Sequence, residues 1–420
     1  MATNAAHRIR LVCATLLIAA VLLTAVTSPA SAQDQPAQPS GGGRLIYLPF
    51  LGGAEASSEL TPDAGGAAAP KTEPLNLIVD TDPGVDDATA ITWLFSQRRA
   101  PVRVLGIVTM AGNTSLYNAT NNMLTLLEAL GQNTTPVTMS AASPLVQPLS
   151  RTGYFLHGPD GLWFLGYQHP HDLSGVPTDA AGYYCSAVAA HPGVTVLALG
   201  PLTNLANAVT RCPEVMRTAG RIIVLGGAKA GGNKTPDAEY NFWQDPEAAN
   251  IVFTARLPVQ FLPLDTFSRV TMTGKEAERL AASRNPTVRL IAPAIVQYVA
   301  AQAQNTGIAT LPDAVAAVYA VNPTIGALQS SLVQMVLDEG KARGQSIIGL
   351  SVAERVAMIA DDAELSGLAD RAFAYPPDPN FDMQAELGAI LAREPDNGLL
   401  VGAVPQNLLS RTVVPDLMKK

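Results

Sequence analysis

The stretch from residue 75 to residue 88 reads Leu-Asn-Leu-Ile-Val-Asp-Thr-Asp-Pro-Gly-Val-Asp-Asp-Ala. Its apolar opening predicts a buried strand from Leu75 to Val79. Pro83 and Gly84 then turn the chain, and the apolar residues that follow predict a helix. A strand, an acidic turn and a helix in this order favour an α/β fold.

The same alternation continues along the chain. Four further apolar runs predict strands, namely Val102 to Thr109, Val194 to Leu199, Ile222 to Leu225 and Val259 to Leu264. Helical patterns separate them, which indicates an open, mostly parallel sheet with helices on both faces. We therefore expect one α/β domain over residues 74–420, with a helix-rich insertion near residues 274–345.

The N-terminal 32 residues have the pattern of a cleavable signal peptide. Two arginines precede an apolar run over residues 11–26, and a small-residue cleavage site ends at Ala32. Residues 33–73 are rich in Gln, Pro, Gly, Ala and Ser, which predicts a low-complexity linker of unassigned role. The expected location is secreted or periplasmic, in a bacterium. No stable membrane association is expected after cleavage, because no other stretch has about 18 uninterrupted apolar residues.

Charge and cysteine content exclude several classes of partner. The formal net charge is −8, the pI is near 5.2, and no basic stripe is present, so nucleic acid is not an expected partner. The chain has three cysteines without a Cys-x-x-Cys motif, which excludes a standard zinc or iron–sulfur site. Cys13 would leave with the signal peptide. Cys185 and Cys212 are expected to be buried thiols, although an oxidising compartment would allow them to pair.

Four carboxylates lie within eight residues at the end of the first predicted strand: Asp80, Asp82, Asp86 and Asp87. If the strand persists, Asp80 and Asp82 share a face, and the two later acids fall at a helix start, where the dipole favours anions. Capping that helix needs only one acid. Because like charges this close repel, the cluster predicts a hard cation such as Ca²⁺ on oxygen ligands, or catalytic use.

These residues resemble the signature of the inosine-uridine preferring nucleoside hydrolase family. Later segments are similar to the family in order and spacing: Val108 to Asn113, His157 to Leu162, Leu199 to Asn204, Gly232 to Asn241, Asp245 to Ala248 and Leu311 to Ala316. The resemblance is close over residues 75–350. It implies a nucleoside hydrolase-like fold with a Rossmann-like core. It also implies Ca²⁺-dependent hydrolysis of the N-glycosidic bond of ribonucleosides to free base and ribose, for nucleoside salvage.

The resemblance also implies a role for each matching residue. Ca²⁺ would be held by three side chains and one backbone carbonyl, those of Asp82, Asp87, Asp313 and Leu199, with Asp80 behind them or as a further ligand. Asp82 would be the general base for a metal-bound water, and Asn113 would position that water or the ribose. The substrate would be bound by Asp86, Asn233, Glu239, Asn241 and His157, and Asp313 would share in binding the ribose hydroxyls.

One position departs from the family pattern and leaves an alternative open. In several purine-accepting members a His precedes the last metal-binding aspartate and can protonate the leaving base, whereas this chain has Pro312. His157 is the other candidate acid. The alternative is an exported nucleoside- or ribose-binding protein with little or no turnover. Trp163 could stack on a base or pack, whereas Trp243 is expected to pack.

The sequence does not decide between purine and pyrimidine bases. Family members are often dimers or tetramers, so a homo-oligomer is compatible with the resemblance.

Overall fold

The computed structural model describes residues 73–419. The predicted signal peptide and all but the last residue of the predicted linker lie outside the described residues. The strands are β1 (Leu75–Thr81), β2 (Val102–Thr109), β3 (Val137–Met139), β4 (Thr195–Ala198), β5 (Arg221–Leu225), β6 (Val259–Leu262), β7 (Leu328–Met335), β8 (Ser346–Gly349) and β9 (Gly398–Val401). Across residues 73–419 they form one sheet in the order β3-β2-β1-β4-β5-β6-β9-β7-β8.

Helices connect most of the strands. They are α1 (Val85–Ser96), α2 (Leu116–Ala129), α3 (Tyr154–His157), α4 (Leu165–Gln168), α5 (Ala180–Ala190), α6 (Thr203–Arg211), α7 (Pro213–Met216), α8 (Tyr240–Gln244), α9 (Pro246–Thr254), α10 (Leu264–Phe267), α11 (Gly274–Leu280), α12 (Pro286–Thr306), α13 (Pro312–Val321), α14 (Val352–Ile359), α15 (Asp362–Ala372), α16 (Met383–Leu391) and α17 (Val414–Leu417). A 3₁₀ turn spans Pro323–Ile325 and a π turn spans Leu409–Val413. No helix within residues 73–419 is long and apolar enough to cross a membrane.

The sheet is mostly parallel and carries helices on both faces, as predicted. All pairs from β3 through β6 to β9 are parallel, whereas β7 is antiparallel to both β9 and β8. Side chains alternate along each strand. On β1, Leu77 and Val79 pack into one apolar cluster with α1, α12 and α13, while Ile78 packs into a second cluster with α5, α6 and α9. β1 is therefore buried on both faces, which explains its continuous apolar sequence.

All five predicted strands are present, and β1 extends two residues further than predicted, to Thr81. The segment over residues 274–345 differs from the expected insertion. Its helices α12 and α13 belong to the main apolar cluster, and its last part forms β7 in the sheet.

The two cysteines beyond the predicted signal peptide form a disulfide, so the expectation of free thiols is wrong. Cys185 lies on α5 and Cys212 follows α6 directly, with 6.0 Å between their Cα atoms. Their helices pack together against the same face of the sheet, as part of one apolar cluster. This packing brings the two side chains together, although 27 residues separate them.

The carboxyl ends of the parallel strands lie at one edge of the sheet. The chain leaves β1 at Asp82, β2 at Met110 and β4 at Leu199. Since β1 lies between β2 and β4, these three exits are neighbours. Ligands of open α/β sheets bind at such an edge, and Asp82, Asn113 and Leu199, which the sequence singled out, lie there.

Candidate active site

The acidic turn after β1 lies buried at the centre of the sheet edge. Asp82 lies in the turn between β1 and α1, and Asp86 and Asp87 lie in the first turn of α1. Their exposed fractions are 1%, 6% and 0%, respectively. The Gly84 amide, at the N-cap of α1, donates to Asp87 Oδ2 at 3.0 Å. Helix capping therefore explains the position of one carboxylate oxygen, that of Asp87, and not the presence of the other acids.

A fourth carboxylate of the site, that of Asp313, comes from a distant part of the sequence. Asp313 lies in the first turn of α13, directly after Pro312, and α13 packs against α1. One oxygen from each of Asp86, Asp87 and Asp313 lies within 4.8 Å of the other two. Within residues 73–419 this is the group of carboxylates that could hold a metal ion.

Asp82 lies beside this group, with one oxygen fixed and the other unpaired. Its Oδ2 accepts a hydrogen bond from the Asn113 amide at 2.6 Å. Its Oδ1 is buried and has no hydrogen-bond partner among the described residues. A Cβ added to Gly112 would lie 2.0 Å from Oδ2, and one added to Gly200 would lie 2.4 Å from Oδ1. Two glycines thus make room for this carboxylate.

Asn113 and Thr81 hold Asp87 in place. Asp87 Oδ1 accepts from Thr81 Oγ1 at 2.5 Å, and its Oδ2 accepts from Asn113 Nδ2 at 3.0 Å. Through its backbone and its side chain, Asn113 therefore contacts both Asp82 and Asp87. This places the predicted catalytic residue Asn113 among the carboxylates.

Asp86 is bound by a tyrosine that the sequence did not single out. Tyr298, on α12, donates to Asp86 Oδ2 at 2.9 Å, while Asp86 Oδ1 has no hydrogen-bond partner among residues 73–419. The ring of Tyr298 lies 5.0 Å from the ring of His157, centroid to centroid. No motif marks Tyr298, because its contact depends on how α12 packs.

His157 is buried against the start of α1. Its Nδ1 accepts a hydrogen bond from the Val85 amide at 3.1 Å and lies 3.7 Å from Asp86 Oδ1. Burial lowers the pKa of His157 to about 4. The neutral ring with Nδ1 as acceptor carries its proton on Nε2. The structure therefore supports a neutral hydrogen-bond donor and not an imidazolium near pH 7.

Burial is the largest influence on the acids of the site. It raises the pKa of Asp86 to about 7 and the pKa values of Asp82 and Asp313 well above their usual range, and the neighbouring carboxylates raise them further. A cation would remove this repulsion and pair with the buried Oδ1 atoms of Asp82 and Asp86. The residues present therefore fit a hard metal ion bound by oxygen atoms.

The loop after β5 forms the other wall of the site. Asn241 Nδ2 donates to the carbonyl oxygens of Leu199 at 2.8 Å and Leu225 at 3.0 Å, which joins the ends of β4 and β5. Glu239 caps α8 and accepts from the amides of Gly227, Asn241 and Phe242. Burial raises the pKa of Glu239 to about 7.

Two predicted residues lie further from the carboxylates. Asn233 is exposed, and its Oδ1 accepts from the Tyr240 amide at 2.9 Å. Asp80 is held by the Tyr184 hydroxyl at 2.7 Å and by Asn204 Nδ2 at 3.2 Å. β1 ends at Thr81, so the strand does not persist through Asp82. Asp80 lies behind the site and is not part of the three-carboxylate group.

Trp163 and Trp243 differ in their surroundings. Trp163 is half-buried, and its Nε1 donates to the Leu156 carbonyl at 2.8 Å. Trp243 lies under the ammonium of Lys234, whose Nζ is 4.2 Å from the ring centroid. Both rings therefore have contacts within the protein.

Comparison with known proteins agrees with this geometry. The sequence model of the inosine-uridine preferring nucleoside hydrolase family matches residues 77–370. Probable uridine nucleosidase 1 of Oryza sativa subsp. japonica is 42% identical over 211 residues, which cover 50% of this chain and 64% of that protein. A non-specific ribonucleoside hydrolase of Salmonella paratyphi B is 32% identical over 286 residues, covering 67% of this chain and 89% of that protein.

A solved plant nucleoside hydrolase has the same fold. It superimposes with a TM-score of 0.68 at 29% identity, covering 83% of this chain and 100% of that one. The predicted family and fold are thereby confirmed. The match to the rice nucleosidase spans less than two thirds of that relative's length. The family match itself extends over both sources of the carboxylates, the turn after β1 and the start of α13. The chain belongs to the inosine-uridine preferring nucleoside hydrolase family.

Proposed function

We propose that this protein hydrolyses the N-glycosidic bond of ribonucleosides to free base and ribose. The observation that carries the proposal is the buried group of Asp86, Asp87 and Asp313, with Asp82 beside it, in a member of this family. The rice and Salmonella relatives are named as a uridine nucleosidase and a non-specific ribonucleoside hydrolase. Those names support a ribonucleoside as the substrate.

The proposed ion is Ca²⁺. The available donors are carboxylate and carbonyl oxygens, which suit a hard cation of flexible coordination. Asp82, Asp87, Asp313 and the carbonyl of Leu199 would hold it, and Asp86 lies close enough to share in it. When bound, the cation would lower the pKa of a water molecule and orient it for attack.

Asp82 is the proposed general base. Its Oδ2 is fixed by the Asn113 amide, while its buried Oδ1 has no partner and can accept a proton. As water attacks the anomeric carbon, its proton passes to Asp82 and the bonding electron pair leaves with the base. The ribose gains positive charge in this step, and the surrounding carboxylates stabilise that charge.

Ribose selection follows from the polar residues around the cluster. Asp86, Asn241 and Asp313 would bind the 2′ and 3′ hydroxyls, and Asn233 and Glu239 would bind the 5′ hydroxyl. A deoxyribose would leave buried polar groups unpaired, which costs binding free energy. We therefore expect a preference for ribonucleosides over deoxyribonucleosides.

A second candidate function is an exported nucleoside- or ribose-binding protein with little turnover. The observation that favours it is Pro312, which has no proton to give to a leaving base. His157 does not supply an imidazolium in its place, because burial holds its pKa near 4.

Export to the periplasm or the medium is part of the proposal. The disulfide between Cys185 and Cys212 supports it, because disulfides persist mainly in oxidising compartments. The predicted signal peptide is in agreement. Fractionation of expressing cells would test this, and retention of the full-length chain in the cytoplasm would contradict it.

The decisive experiment measures release of free base from inosine, uridine, adenosine, cytidine and nitrophenyl riboside. Wild type, Asp82→Ala and the exposed-carboxylate control Asp172→Asn are compared with and without chelator. We expect cleavage that requires the ion and falls by about a thousandfold in Asp82→Ala, whereas Asp172→Asn behaves as wild type.

The other outcomes separate the two candidate functions. Cleavage of nitrophenyl riboside alone would show that leaving-group protonation is deficient. Binding of Ca²⁺ and ribose without any cleavage would favour the binding protein. Full activity of Asp82→Ala would contradict the role of Asp82.

A further inference from the structure

Lys234 joins two segments that are distant in sequence, near the candidate active site. It lies on the loop that carries Asn233 and Glu239, between β5 and α8. Its Nζ donates to Ser150 Oγ at 3.1 Å and to Thr152 Oγ1 at 2.5 Å. These hydroxyls lie on the segment between β3 and α3, which is 82 residues away from Lys234 at Thr152. One ammonium group therefore connects these two segments.

The same ammonium lies over aromatic rings of α8. Its distance to the ring centroid is 4.2 Å for Trp243 and 5.9 Å for Tyr240. A cation at this distance from an aromatic face is attracted to it, and partial burial strengthens the attraction. The ammonium thus holds α8, its own loop and the segment over residues 150–152 together.

Tyr240 extends this connection to the carboxylates. Its hydroxyl donates to the Gly112 carbonyl at 3.1 Å and forms a hydrogen bond with the backbone of Gly153. Gly153 packs directly on Asn113, since a Cβ added there would lie 2.8 Å from the Asn113 carbonyl oxygen. Asn113 in turn contacts Asp82. A series of contacts through Tyr240, Gly153 and Asn113 therefore connects Lys234 to Asp82.

The first residues of the loop are fixed to neighbouring segments: the Gly227 carbonyl accepts from the Leu264 amide at 2.8 Å, and the amides of Ala228 and Lys229 donate to Ser346 Oγ and Asp265 Oδ2. Further along, backbone hydrogen bonds lie within the loop itself: Gly232 N to Pro236 O at 3.0 Å, Lys234 N to Ala238 O at 3.1 Å and Thr235 N to Ala238 O at 3.2 Å. Gly231 precedes them with a φ of 108°, a conformation that favours glycine. The side-chain contacts of Lys234 connect this later part of the loop to residues 150–152 and to α8.

We propose that Lys234 is a positioning residue for the ribose. It clamps the segment over residues 233–241 against residues 150–153, so that Asn233, Glu239 and Asn241 meet the sugar in a fixed arrangement. Lys234 acts through these residues and does not touch the reacting atoms. This inference rests on the proposed function and deepens it, because it names a residue that sets ribose affinity without taking part in bond cleavage.

The test compares three variants of the full-length protein. Lys234→Met keeps the aliphatic stem and removes the ammonium, whereas Lys234→Arg keeps a cation over the Trp243 ring. Lys229→Met is the matched control, because Lys229 lies at the start of the same loop but bonds to Ile348 O and Glu354 instead. For each variant, KM and kcat are measured with the best ribonucleoside. Amide hydrogen exchange is measured over residues 231–241.

We expect Lys234→Met to raise KM by about tenfold, in line with the loss of charged hydrogen bonds and a cation–π contact. We expect kcat to stay within about threefold and exchange over residues 231–241 to accelerate. Lys234→Arg should restore most of the affinity, and Lys229→Met should leave KM unchanged. Trp243 fluorescence should change in Lys234→Met, with Trp243→Phe identifying the signal among the three tryptophans.

Several results would overturn the inference. Unchanged exchange in Lys234→Met would show that the ammonium does not hold the loop. Faster exchange with an unchanged KM would contradict the positioning role. An equal rise of KM in Lys229→Met would indicate that any change in the loop weakens substrate binding. If the wild type cleaves no ribonucleoside, the proposed function fails, and ribose affinity together with exchange still decides whether Lys234 positions the sugar.

Discussion

Asp82 shows how closely a single side chain of this site is confined. One of its oxygens is fixed by the Asn113 amide, and the backbone at Gly112 and Gly200 lies against the carboxylate from two sides. Any side chain at those two positions would enter space that the carboxylate occupies. The position of Asp82 therefore depends on the absence of side chains at Gly112 and Gly200 as well as on the hydrogen bond from the Asn113 amide.

Gly200→Ala tests this confinement. The new Cβ would lie 2.4 Å from Asp82 Oδ1 and 2.8 Å from its Cγ, so the carboxylate must move. Displacements of this size at a catalytic group cost up to about a hundredfold in rate, and we expect a fall in kcat of at least tenfold. The control is Gly388→Ala, in α16, where nothing lies within 4 Å. It should keep full activity and gain about 0.5–1 kcal/mol in free energy of unfolding. Wild-type kcat in Gly200→Ala would contradict the argument.

Glu239 makes the stability of the ion-free protein depend on pH. Burial raises its pKa from 4.5 to about 7, so the folded state holds this proton more tightly than the unfolded chain does. Its contribution is complete below pH 4.5 and is lost as the pH rises through 7. We expect a loss of up to about 3 kcal/mol in free energy of unfolding from this group.

Urea unfolding in chelator at pH 5 and pH 8 measures this loss. In Glu239→Gln, the free energy of unfolding should differ less between pH 5 and pH 8, because an amide does not titrate. An unchanged difference would show that other groups cause the pH dependence.

At the scale of secondary structure, two helices begin at the carboxylate group. α1 brings Asp86 and Asp87 in its first turn, and α13 brings Asp313 in its own first turn. The positive end of each helix dipole faces these acids and favours their ionised form. Burial acts in the opposite direction, and a bound cation would settle the balance in favour of ionised carboxylates.

Pro312→His tests whether the proline at the start of α13, where several purine-accepting family members have a histidine, limits protonation of the leaving base. A histidine there would add a side chain able to protonate a leaving base, and such catalysis typically contributes a factor of a hundred or more. We expect kcat on inosine to rise by at least tenfold and cleavage of nitrophenyl riboside to change little. Pro312→Ala is the control, since it removes the ring without adding a proton donor. An equal gain with both substrates, or in both variants, would exclude leaving-group protonation as the cause.

The sequence predicts those elements whose signal is local. β1, β2, β4, β5 and β6 are buried on both faces and so have apolar runs that stand out. β3 has only three residues, and the first three residues of β7 are exposed, so no periodic pattern marks them. β8 and β9 were not predicted either. The disulfide was mispredicted for a related reason, because it depends on the packing of α5 against α6.

The same distinction holds within the site. Asp82, Asp87 and Asn113 lie in contiguous motifs and are found together in the structure. Tyr298 was missed because its contact with Asp86 arises only when α12 packs beside α1. The place of Asp86 within the three-carboxylate group is likewise a tertiary property, since Asp313 completes that group.

At the scale of the whole molecule, the proposed ion joins parts of the fold that the backbone does not link locally. Ca²⁺ at a hundred times its Kd should stabilise the folded state by about 2.7 kcal/mol, which corresponds to a rise in Tm of roughly 5 °C. Mg²⁺ should raise the Tm by less than Ca²⁺ does, because Mg²⁺ demands a more rigid octahedral site.

Thermal unfolding in chelator, in Ca²⁺ and in Mg²⁺ measures this effect. Asp313→Asn should reduce the response to Ca²⁺, and the exposed Asp172→Asn should not. A Tm that is the same in chelator and in Ca²⁺ would contradict a bound ion.

The distance in sequence between Asp87 and Asp313 has a consequence for biosynthesis. The two acids are more than two hundred residues apart, so an unfolded chain carries all the carboxylates but offers no binding site. A chain that crosses a membrane unfolded would therefore arrive without a metal ion. Under the proposed export, the ion is selected from the pool present where folding is completed, and the metal content of the cytoplasm has no influence on which ion the protein carries.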